Sequence, residues 1–400
     1  ARLGLQMTDL LSGVRILSLN HFLLGPLGIQ HLADLGADVI GVEPLTGAFQ
    51  RHFGGNDVNI DGAGGLFHVG GRNKRSISLD LKQPEACEIV RHIVKDIDVV
   101  AENFRPGVME RFGLAWEQLK AINPKLIYAS ASGYGPDGPW KDKPGQDLLV
   151  QAISGLASIN GTVAGGPRPV GVSVIDHHGA ALYAMAILAG LVSRSRTGVG
   201  RRVEVDLLSA GIDLQAESLS YYLNGAKPGT IASQGPTAGW HNSVPYGIYA
   251  TASGHLVISL ASAEQVLAAL EIDLDELGIK HSDADFCEQV GIILQDHLKQ
   301  ISTDECRRLF DEHHIWHAPV SDYENLLDNP QVKHNGNISY GKSANGEDFV
   351  SILSPILVDG IRPQSYMPPQ NLGAQTYEIL REFEFSEIEI TDFIRNKVVT

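Results

Sequence analysis

The chain has 400 residues, of which 43% are hydrophobic and 20% are charged. Because one hydrophobic core seldom extends beyond ~250–300 residues, this length predicts two domains or one elaborated α/β domain. With 31 Lys and Arg against 47 Asp and Glu, the net charge of −16 argues against nucleic acid or an anionic membrane as the main partner. Cys87, Cys287 and Cys306 are scattered without metal-ligand spacing, which is typical of reduced thiols in the cytoplasm.

The start of the chain and its longest apolar run bear on where the protein resides. Met7 is interpreted as the natural first residue, with residues 1–6 left over from cloning. No signal peptide is recognised, and the apolar run 180–192 is too short to span a bilayer and contains Gly190. These observations predict a cytoplasmic protein with no membrane partner.

Strands and helices alternate through the first half of the chain. An apolar run at residues 14–19 predicts a strand, a helix opens at Gly25-Pro26 and ends at Gly36, and residues 37–42 form the next strand. The other elements predicted here are strands at 76–81, 98–102, 126–130 and 202–206 and helices at 84–95, 108–112, 115–122 and 179–195. This alternation predicts a parallel sheet covered by helices, with ligands at the carboxyl ends of the strands.

The pattern changes after residue 224. Residues 225–245 are rich in Gly, Pro, Ser and Thr, which predicts a linker and a mobile loop. A hairpin at 246–250 and 255–260 precedes acidic helices, and two helices near 376–384 and 386–396 end the chain. The predicted domains are therefore a Rossmann-like large domain at 8–224, a linker with a smaller α+β domain at 225–325, and a return segment at 326–400 that completes the large domain.

One aspartate, Asp176, immediately precedes the long helix predicted at 179–195. The N–H groups and dipole of a helix N-terminus favour the anion, and an ionised, partly desolvated carboxylate can attack activated acyl groups. The alternative is that Asp176 is only the N-cap, a common role for Asp at a helix start. His177 and His178 follow it, but adjacent helix positions point apart, so no metal site is predicted.

Several nucleotide and catalytic motifs are missing from the sequence. No GxGxxG follows the first strand, which disfavours a nicotinamide-binding domain, and no Walker, HExxH or GxSxG sequence occurs. Basic residues nevertheless cluster at Arg72, Lys74 and Arg75 and again at Lys141 and Lys143. Such islands in an acidic protein suit a small anionic ligand, or they are solvated turns.

A family resemblance is carried by segments in order along nearly the whole chain. They are Leu11-Ser12-Gly13-Val14-Arg15-Ile16-Leu17, Gly25-Pro26, Leu32-Ala33-Asp34-Leu35-Gly36-Ala37-Asp38-Val39-Ile40, Asn73-Lys74-Arg75-Ser76-Ile77-Ser78-Leu79-Asp80, Glu102-Asn103-Phe104-Arg105-Pro106-Gly107-Val108-Met109, Gly133-Tyr134-Gly135, Leu372-Gly373 and Glu378-Ile379-Leu380. Together they resemble the family III CoA-transferases (CaiB/BaiF family), which include formyl-CoA transferase and carnitine CoA-transferase. The resemblance implies CoA transfer from an acyl-CoA to a carboxylic acid, no tightly bound cofactor, and an interlocked homodimer of Rossmann-like large and small domains.

The resemblance also implies roles for individual residues. Asp176 falls on the family's nucleophilic aspartate, which implies aspartyl anhydride and aspartyl-CoA thioester intermediates, and Gln146 falls where the transferases often hydrogen-bond the reacting carboxyl. A family arginine is missing after the second strand, where Glu43-Pro44 stands, and one of Arg72, Lys74 and Arg75 is interpreted as its replacement. The implied CoA-binding residues are Phe22, Leu23, Leu24, Leu79, Lys82, Asn103, Phe104, Arg111 and Lys143.

Two other functions are weighed against transfer. A 2-methylacyl-CoA racemase of the same fold needs a titratable histidine in Gly-His-Asp, whereas this chain has Gly145-Gln146-Asp147 and Gln cannot titrate. Asp147 is interpreted as a helix cap rather than a catalyst. In a non-catalytic CoA-binding protein, Asp176 would be dispensable.

The sequence leaves the two acids of the reaction open. The expectation is a short acid with a second polar or anionic group, and Arg168, Arg72 and Lys74 lie on segments that can approach the site. The glycine-containing loop at 234–241 resembles a substrate-side loop, and whether it closes over the site is left open.

Overall fold

The structure is a computed structural model that describes residues 10–400 except 234, 284, 365 and 366, so the interpretation of Met7 lies outside the described residues. In chain order its strands are β1 (Arg15–Leu19), β2 (Asp38–Glu43), β3 (Asn59–Ile60), β4 (Ala63–Gly64), β5 (Lys74–Ser78), β6 (Val99–Glu102), β7 (Ile127–Ser132), β8 (Arg201–Asp206), β9 (Gly247–Thr251), β10 (Gly254–Ser259), β11 (Trp316–Pro319), β12 (Ile338–Lys342) and β13 (Asp348–Ile352). Its α-helices are α1 (Leu24–Asp34), α2 (Gly65–Gly70), α3 (Pro84–Ile93), α4 (Val108–Arg111), α5 (Trp116–Ile122), α6 (Asp147–Ile153), α7 (Leu156–Ile159), α8 (Val174–Thr197), α9 (Leu207–Asp213), α10 (Ala216–Leu223), α11 (Ala263–Ala269), α12 (Phe286–Leu298), α13 (Thr303–Glu312), α14 (Tyr323–Asp328), α15 (Pro330–Asn335), α16 (Thr376–Glu382) and α17 (Glu387–Arg395).

The described chain divides into two compact units. The larger unit runs to Val150 and then takes in Ser173–Leu214 and Gln331–Thr400, while the smaller unit is Gln151–Val172 with Gln215–Pro330. The expected large domain at 8–224 therefore differs from the structure, because 151–172 and 215–224 belong to the smaller unit. Thr162 of this segment bridges Ser233, a pairing between residues distant in sequence that no local pattern reveals.

A six-stranded parallel sheet forms the centre of the larger unit, in the order β5-β2-β1-β6-β7-β8. Its inner strands are nearly continuous apolar runs, such as Ile16, Leu17, Val99 and Val100, because helices cover both faces of a parallel sheet. From β1 the sheet extends to β2 and β5 on one side and to β6, β7 and β8 on the other. The predicted parallel α/β architecture is confirmed, and its topological switch point lies between β1 and β6.

Two sequence-predicted elements have different ends in the structure. The strand expected at 76–81 is β5, Lys74–Ser78, whose pairing with β2 begins at Lys74 opposite Val39 and ends at Ser78 opposite Glu43. The helix expected at 179–195 is α8, which begins at Val174 and ends at Thr197. This earlier start includes Asp176 in the first turn of the helix.

Helix α8 packs closely against α1 and the sheet. An added Cβ at Gly28 would lie 2.9 Å from the Ala180 carbonyl oxygen, and one at Gly179 would lie 2.6 Å from Leu24 Cδ1. By length and composition α8 is apolar enough to cross a membrane, a test that core helices of soluble proteins also pass. The Tyr183 hydroxyl donates to the Ala129 carbonyl oxygen of β7 at 2.8 Å, as expected for a helix packed on the sheet.

Helices α16 and α17 complete the core of the larger unit. Ile379, Leu380 and Ile390 belong to the same buried cluster as Ile77 and Leu79 near β5. The two C-terminal helices predicted from the sequence are present. The last part of the chain therefore covers the β5 end of the sheet.

The smaller unit has its own core. Strands β9, β10 and β11 form an antiparallel sheet in the order β11-β10-β9, and the hairpin predicted near 246–260 is its β9–β10 pair. Ser262 and Gln265 form a reciprocal capping box that starts α11. The buried side chains at the centre of this unit include Tyr249, Leu256, Ile258, Leu294 and Phe310.

Candidate active site

A cavity of about 440 Å³ lies in the larger unit at the switch point of the sheet. Loops that follow β1, β2, β6 and β7 form its walls together with the first turn of α8. Eight of the residues proposed from the sequence line it: Phe22, Leu23, Leu24, Asn103, Phe104, Lys143, Gln146 and Asp176. Residues separated by more than 150 positions thus meet in one cavity, as the parallel-sheet argument predicted.

Asp176 is the third residue of α8, and its carboxyl group is not the helix cap. Instead, Asp147 Oδ1 accepts hydrogen bonds from the backbone N–H groups of Ile175 at 2.8 Å and Asp176 at 3.0 Å. The interpretation of Asp176 as a simple N-cap is therefore wrong. Asp147 is a cap, as the sequence suggested, but it caps α8 rather than the helix it begins.

Burial first, and the nearby Asp147 charge second, raise the pKa of Asp176 from 3.8 to about 7. This differs from the expectation that the helix N-terminus keeps Asp176 ionised. The reason is local, because burial penalises the charged form and the N–H groups of Ile175 and Asp176 donate to Asp147. Asp176 therefore gains its charge as the pH rises through neutrality, and its carboxylate is a stronger base than an exposed one.

Asn103 fixes the loop that follows β1. Its Oδ1 accepts from the His21 N–H at 2.8 Å, and its Nδ2 donates to the His21 carbonyl oxygen at 2.7 Å. The next N–H, that of Phe22, donates to Gln50 Oε1 at 3.1 Å, and Phe22 has a positive φ of 60°. Because this backbone region disfavours bulky residues, the loop is strained and held by side chains from two other segments. Asn103 thus shapes the loop after β1 with its amide.

The strained loop presents an aromatic wall made of Phe22, Phe49 and Phe53. The ring centroids of Phe22 and Phe49 are 4.4 Å apart, and those of Phe49 and Phe53 are 5.6 Å apart. These side chains line the cavity and are 46%, 45% and 52% exposed, respectively. An exposed aromatic cluster of this kind suits the apolar parts of a bound thioester. Sequence reasoning missed Phe49 and Phe53, since contacts such as the Glu43–Arg51 pair and the Phe22–Gln50 hydrogen bond, which place their loop at the cavity, leave no local pattern in the sequence.

Known proteins are similar to this chain in sequence and in fold. The sequence profile of CoA-transferase family III matches residues 11–376. The chain belongs to this family. The transferase is 32% identical over 401 residues to the succinate–glutarate CoA-transferase of Agrobacterium fabrum, with 95% of this chain and 99% of that one covered. It is 32% identical over 389 residues to the human succinyl-CoA:glutarate CoA-transferase, with 93% and 85% covered.

A solved structure agrees with the fold. The crystal structure of a CaiB/BaiF family protein from Brucella suis matches with a TM-score of 0.81 at 28% identity, covering 95% of this chain and 100% of that one. The resemblance read from the sequence is confirmed. The protein is thus an enzyme that transfers CoA, with CoA thioesters and carboxylic acids as its substrates.

Three residues expected to bind CoA do not line the cavity of the transferase. Leu79 is 1% exposed and packs in the core beside the bridge it forms with Val399, so its side chain is covered by the fold and its contact with CoA stays a prediction. Lys82 and Arg111 are exposed and lie outside the cavity lining. Their contact with CoA stays a prediction.

The basic residues proposed to replace the missing family arginine have other partners. Arg72 Nη2 lies 2.5 Å from Asp34 Oδ2, Arg75 pairs with Asp38, and burial lowers the pKa of Lys74 to about 7. Arg72 and Lys74 are buried against partners inside the fold, Arg75 is partly buried, and none of the three lines the cavity, so their role in binding the phosphates of CoA stays a prediction that the structure does not favour. Glu43 likewise binds Arg51 through both its oxygens, at 2.6 and 2.7 Å.

Three other cations line the cavity of the transferase: Arg105, Lys141 and Lys143. Lys143 Nζ lies 4.2 Å above the ring of Trp140, which orients an otherwise exposed ammonium group. Of these three, only Lys143 was assigned to CoA from the sequence. The signals for the others were present in the Asn103-Phe104-Arg105 segment and in the basic island around residue 141.

Proposed function

We propose that this transferase uses Asp176 as the nucleophile that carries CoA between an acyl-CoA and a carboxylic acid. The observation that supports it most is the position of Asp176 in the first turn of α8, half-buried and facing the same cavity as Gln146 and the aromatic wall. A carboxylate with a raised pKa is a good nucleophile once ionised.

The proposed reaction proceeds through four acyl exchanges. The Asp176 carboxylate attacks the thioester carbonyl, the C–S bond breaks, and a mixed anhydride and the CoA thiolate result. The thiolate attacks the aspartyl carbonyl and expels the first acid, leaving aspartyl-CoA thioester. The acceptor carboxylate attacks the aspartyl thioester, which forms a second mixed anhydride and releases the CoA thiolate. The thiolate then attacks the acyl carbonyl of this second anhydride. The products are the new acyl-CoA and the Asp176 carboxylate.

Gln146 supports transfer rather than racemisation. Its amide lines the cavity with Asp176 and can hydrogen-bond a reacting carboxyl, but it cannot take a proton from an α-carbon. His21 is the imidazole in the described cavity lining, and burial lowers its pKa to about 4. So low a pKa makes His21 a weak base for removing an α-proton. A racemase of this fold is therefore disfavoured.

For the acid substrates, we propose short dicarboxylic acids. Succinate and glutarate appear in the names of two relatives, and the sequence-based expectation was also a short acid with a second polar group. Of the cations first considered for such an acid, Arg72 and Lys74 are used inside the fold. Arg105, Lys141 and Lys143 remain as cavity cations that can serve CoA or the second carboxylate.

Trapping of the thioester tests the proposed function. Enzyme incubated with succinyl-CoA and then treated with hydroxylamine or borohydride is expected to carry a modification on Asp176, located by mass spectrometry of its peptides. Asp176→Ala is expected to show none, and Asp142→Asn, a change at an exposed carboxylate in the loop after β7, is expected to match the wild type.

Two outcomes would contradict the proposal. One is CoA transfer that continues while the modification lies at another residue. The other is exchange of the substrate's α-proton with deuterium during turnover, which attack at a carbonyl leaves untouched and racemisation requires. A panel of acyl-CoA donors and acids, run first, supplies a reacting pair if succinyl-CoA is inactive.

The interlocked homodimer stays a prediction of the family resemblance, and the cytoplasmic location stays a prediction of the cysteine pattern and the short apolar run. Light scattering coupled to size exclusion is expected to give twice the chain mass of 43.1 kDa at concentrations where the enzyme is active. An active, stable monomer would contradict the dimer. Fractionation of cells that produce the protein tests the location, and recovery with the membrane pellet would contradict it.

A further inference from the structure

We propose that Asp147 is a positioning residue whose negative charge favours acylation of the nucleophile, beyond its role as a helix cap. This inference rests on the proposed function of Asp176. It concerns the balance between the carboxylate and acylated forms of the enzyme. It assigns a task to a residue that does not itself form a bond with substrate.

Asp147 connects the start of α6 to the start of α8. Asp147 is the first residue of α6, is 5% exposed, and accepts with one oxygen from the N–H groups of Ile175 and Asp176. The first N–H groups of any helix need such acceptors, which usually come from the residue just before the helix. Here the acceptor comes from a residue 28 or 29 positions earlier in the chain, so the loop after β7 fixes the backbone of the nucleophile.

The cap by itself does not require a charge. An asparagine carbonyl oxygen can accept the same two hydrogen bonds, and Asn is as good a cap as Asp in other helices. A buried carboxylate close to another carboxylate is costly, because like charges repel strongly where solvent is limited. An asparagine would cap α8 without this cost, so the charge of Asp147 beside the Asp176 backbone is the property that distinguishes the two residues here.

The other groups around Asp176 are cations and imidazoles. Arg105, Lys141 and Lys143 line the cavity from the loops after β6 and β7 and are exposed, so solvent screens them. His21 lies on the loop after β1, with its pKa lowered to about 4 by burial, and His177 on α8 places Nδ1 2.9 Å from the Ser173 carbonyl oxygen. After burial, Asp147 is the charge that raises the pKa of Asp176.

Acylation removes the repulsion. The Asp176 carboxylate is negative, whereas the aspartyl group in an anhydride or a thioester is neutral. The Asp147 charge therefore raises the free energy of the free, ionised enzyme relative to both intermediates. It also makes Asp176 more basic and hence more nucleophilic. The same charge lowers the ionised fraction of Asp176 at acid pH, so we expect activity to be highest on the alkaline side of neutrality.

Two substitutions at Asp147 separate the charge from the cap. Asp147→Asn retains an acceptor oxygen and loses the charge, whereas Asp147→Ala loses both. For Asp147→Asn we expect the acid limb of kcat/KM against pH to move to lower pH by about one unit, since a neighbouring like charge is removed. One unit corresponds to about a tenfold change in an equilibrium, so the trapped thioester fraction at pH 8 should fall about tenfold.

The pKa of Asp176 can also be measured without substrate. Carbon-13 NMR of the full-length enzyme labelled at Asp side-chain carboxyl carbons follows Asp176 directly, with Asp176→Asn providing the assignment. The Asp176 pKa is expected to fall in Asp147→Asn and to stay unchanged in the control Asp142→Asn. Circular dichroism establishes that each variant is folded, and Asp147→Asn carries the test if Asp147→Ala does not fold.

The outcomes distinguish this inference from the proposed function. An Asp176 pKa and acid limb unchanged in Asp147→Asn would overturn the role of the charge, as would an equal shift in Asp142→Asn. Equal losses of kcat in both Asp147 variants with no change in the pH profile would reduce Asp147 to a structural cap. Failure to trap CoA on Asp176 in the wild type would instead remove the proposed function, whatever the titration shows.

Discussion

Asp176→Ala is expected to lower kcat for CoA transfer by about 10⁴-fold or more, because every covalent intermediate of the proposed reaction is attached to this side chain. The change removes a half-buried carboxyl group without altering the hydrogen bonds from α8 to Asp147, which use backbone N–H groups. We therefore expect the protein to fold and to bind acyl-CoA with little change in Kd. Steady-state kinetics and calorimetry of the same preparation measure the two effects separately.

The comparison of kcat with Kd decides what Asp176 does. A variant that retains transfer within about tenfold of wild type would show that Asp176 is not the nucleophile. A variant that loses both binding and transfer, with an altered circular dichroism spectrum, would show that the residue supports the fold. Asp176→Asn is a poorer choice, since deamidation restores the acid.

Replacement of Arg105, Lys141 and Lys143 by alanine is expected to raise KM for acyl-CoA about tenfold for each single change and about 100-fold or more in combination. CoA carries a diphosphate and a 3′-phosphate, and contacts to phosphate are charge-assisted and strong. Because these contacts exist equally in the ground and transition states, kcat should change little. The KM of the wild type should also rise with salt concentration, more steeply than that of the triple variant.

Lys82→Ala and Arg111→Ala are the matched controls for this set. Both are exposed cations that the family resemblance assigns to CoA, yet neither lines the cavity. A rise in KM for the cavity cations alone would support the geometry of the structure. A rise for Lys82 and Arg111 alone would show that the phosphates bind outside this cavity, as the resemblance implied.

The elements that sequence reasoning predicted well are those defined by neighbours in the chain. The first strand, helix and strand follow from an apolar run, an early proline and Gly36, and they appear as β1, α1 and β2 with ends shifted by one or two residues. The family motifs likewise pointed to eight of the residues that line the cavity. Local patterns were sufficient because burial on a parallel sheet gives a strong periodic signal.

The features that the sequence did not reveal depend on contacts between residues that are far apart in the chain. Nothing near Arg72 in the chain indicates that Asp34 pairs with it inside the fold, so the sequence could not reveal that this arginine is buried. Leu79 was assigned to CoA from its place in a motif, but helices at the end of the chain bury it. The cap from Asp147 to α8 also depends on tertiary structure, and so does the pKa of Asp176 that follows from burial.

The close packing of α1 on α8 has a consequence for the position of Asp176. Gly28 lets the backbone of α1 approach that of α8, and Gly179 makes room for the Leu24 side chain at the start of α1. The distance between the loop that carries Phe22 and the turn that carries Asp176 therefore depends on two residues that have no side chain. A methyl group added at Gly28 would meet the Ala180 carbonyl oxygen, so it would shift α8 and the position of Asp176 in the cavity.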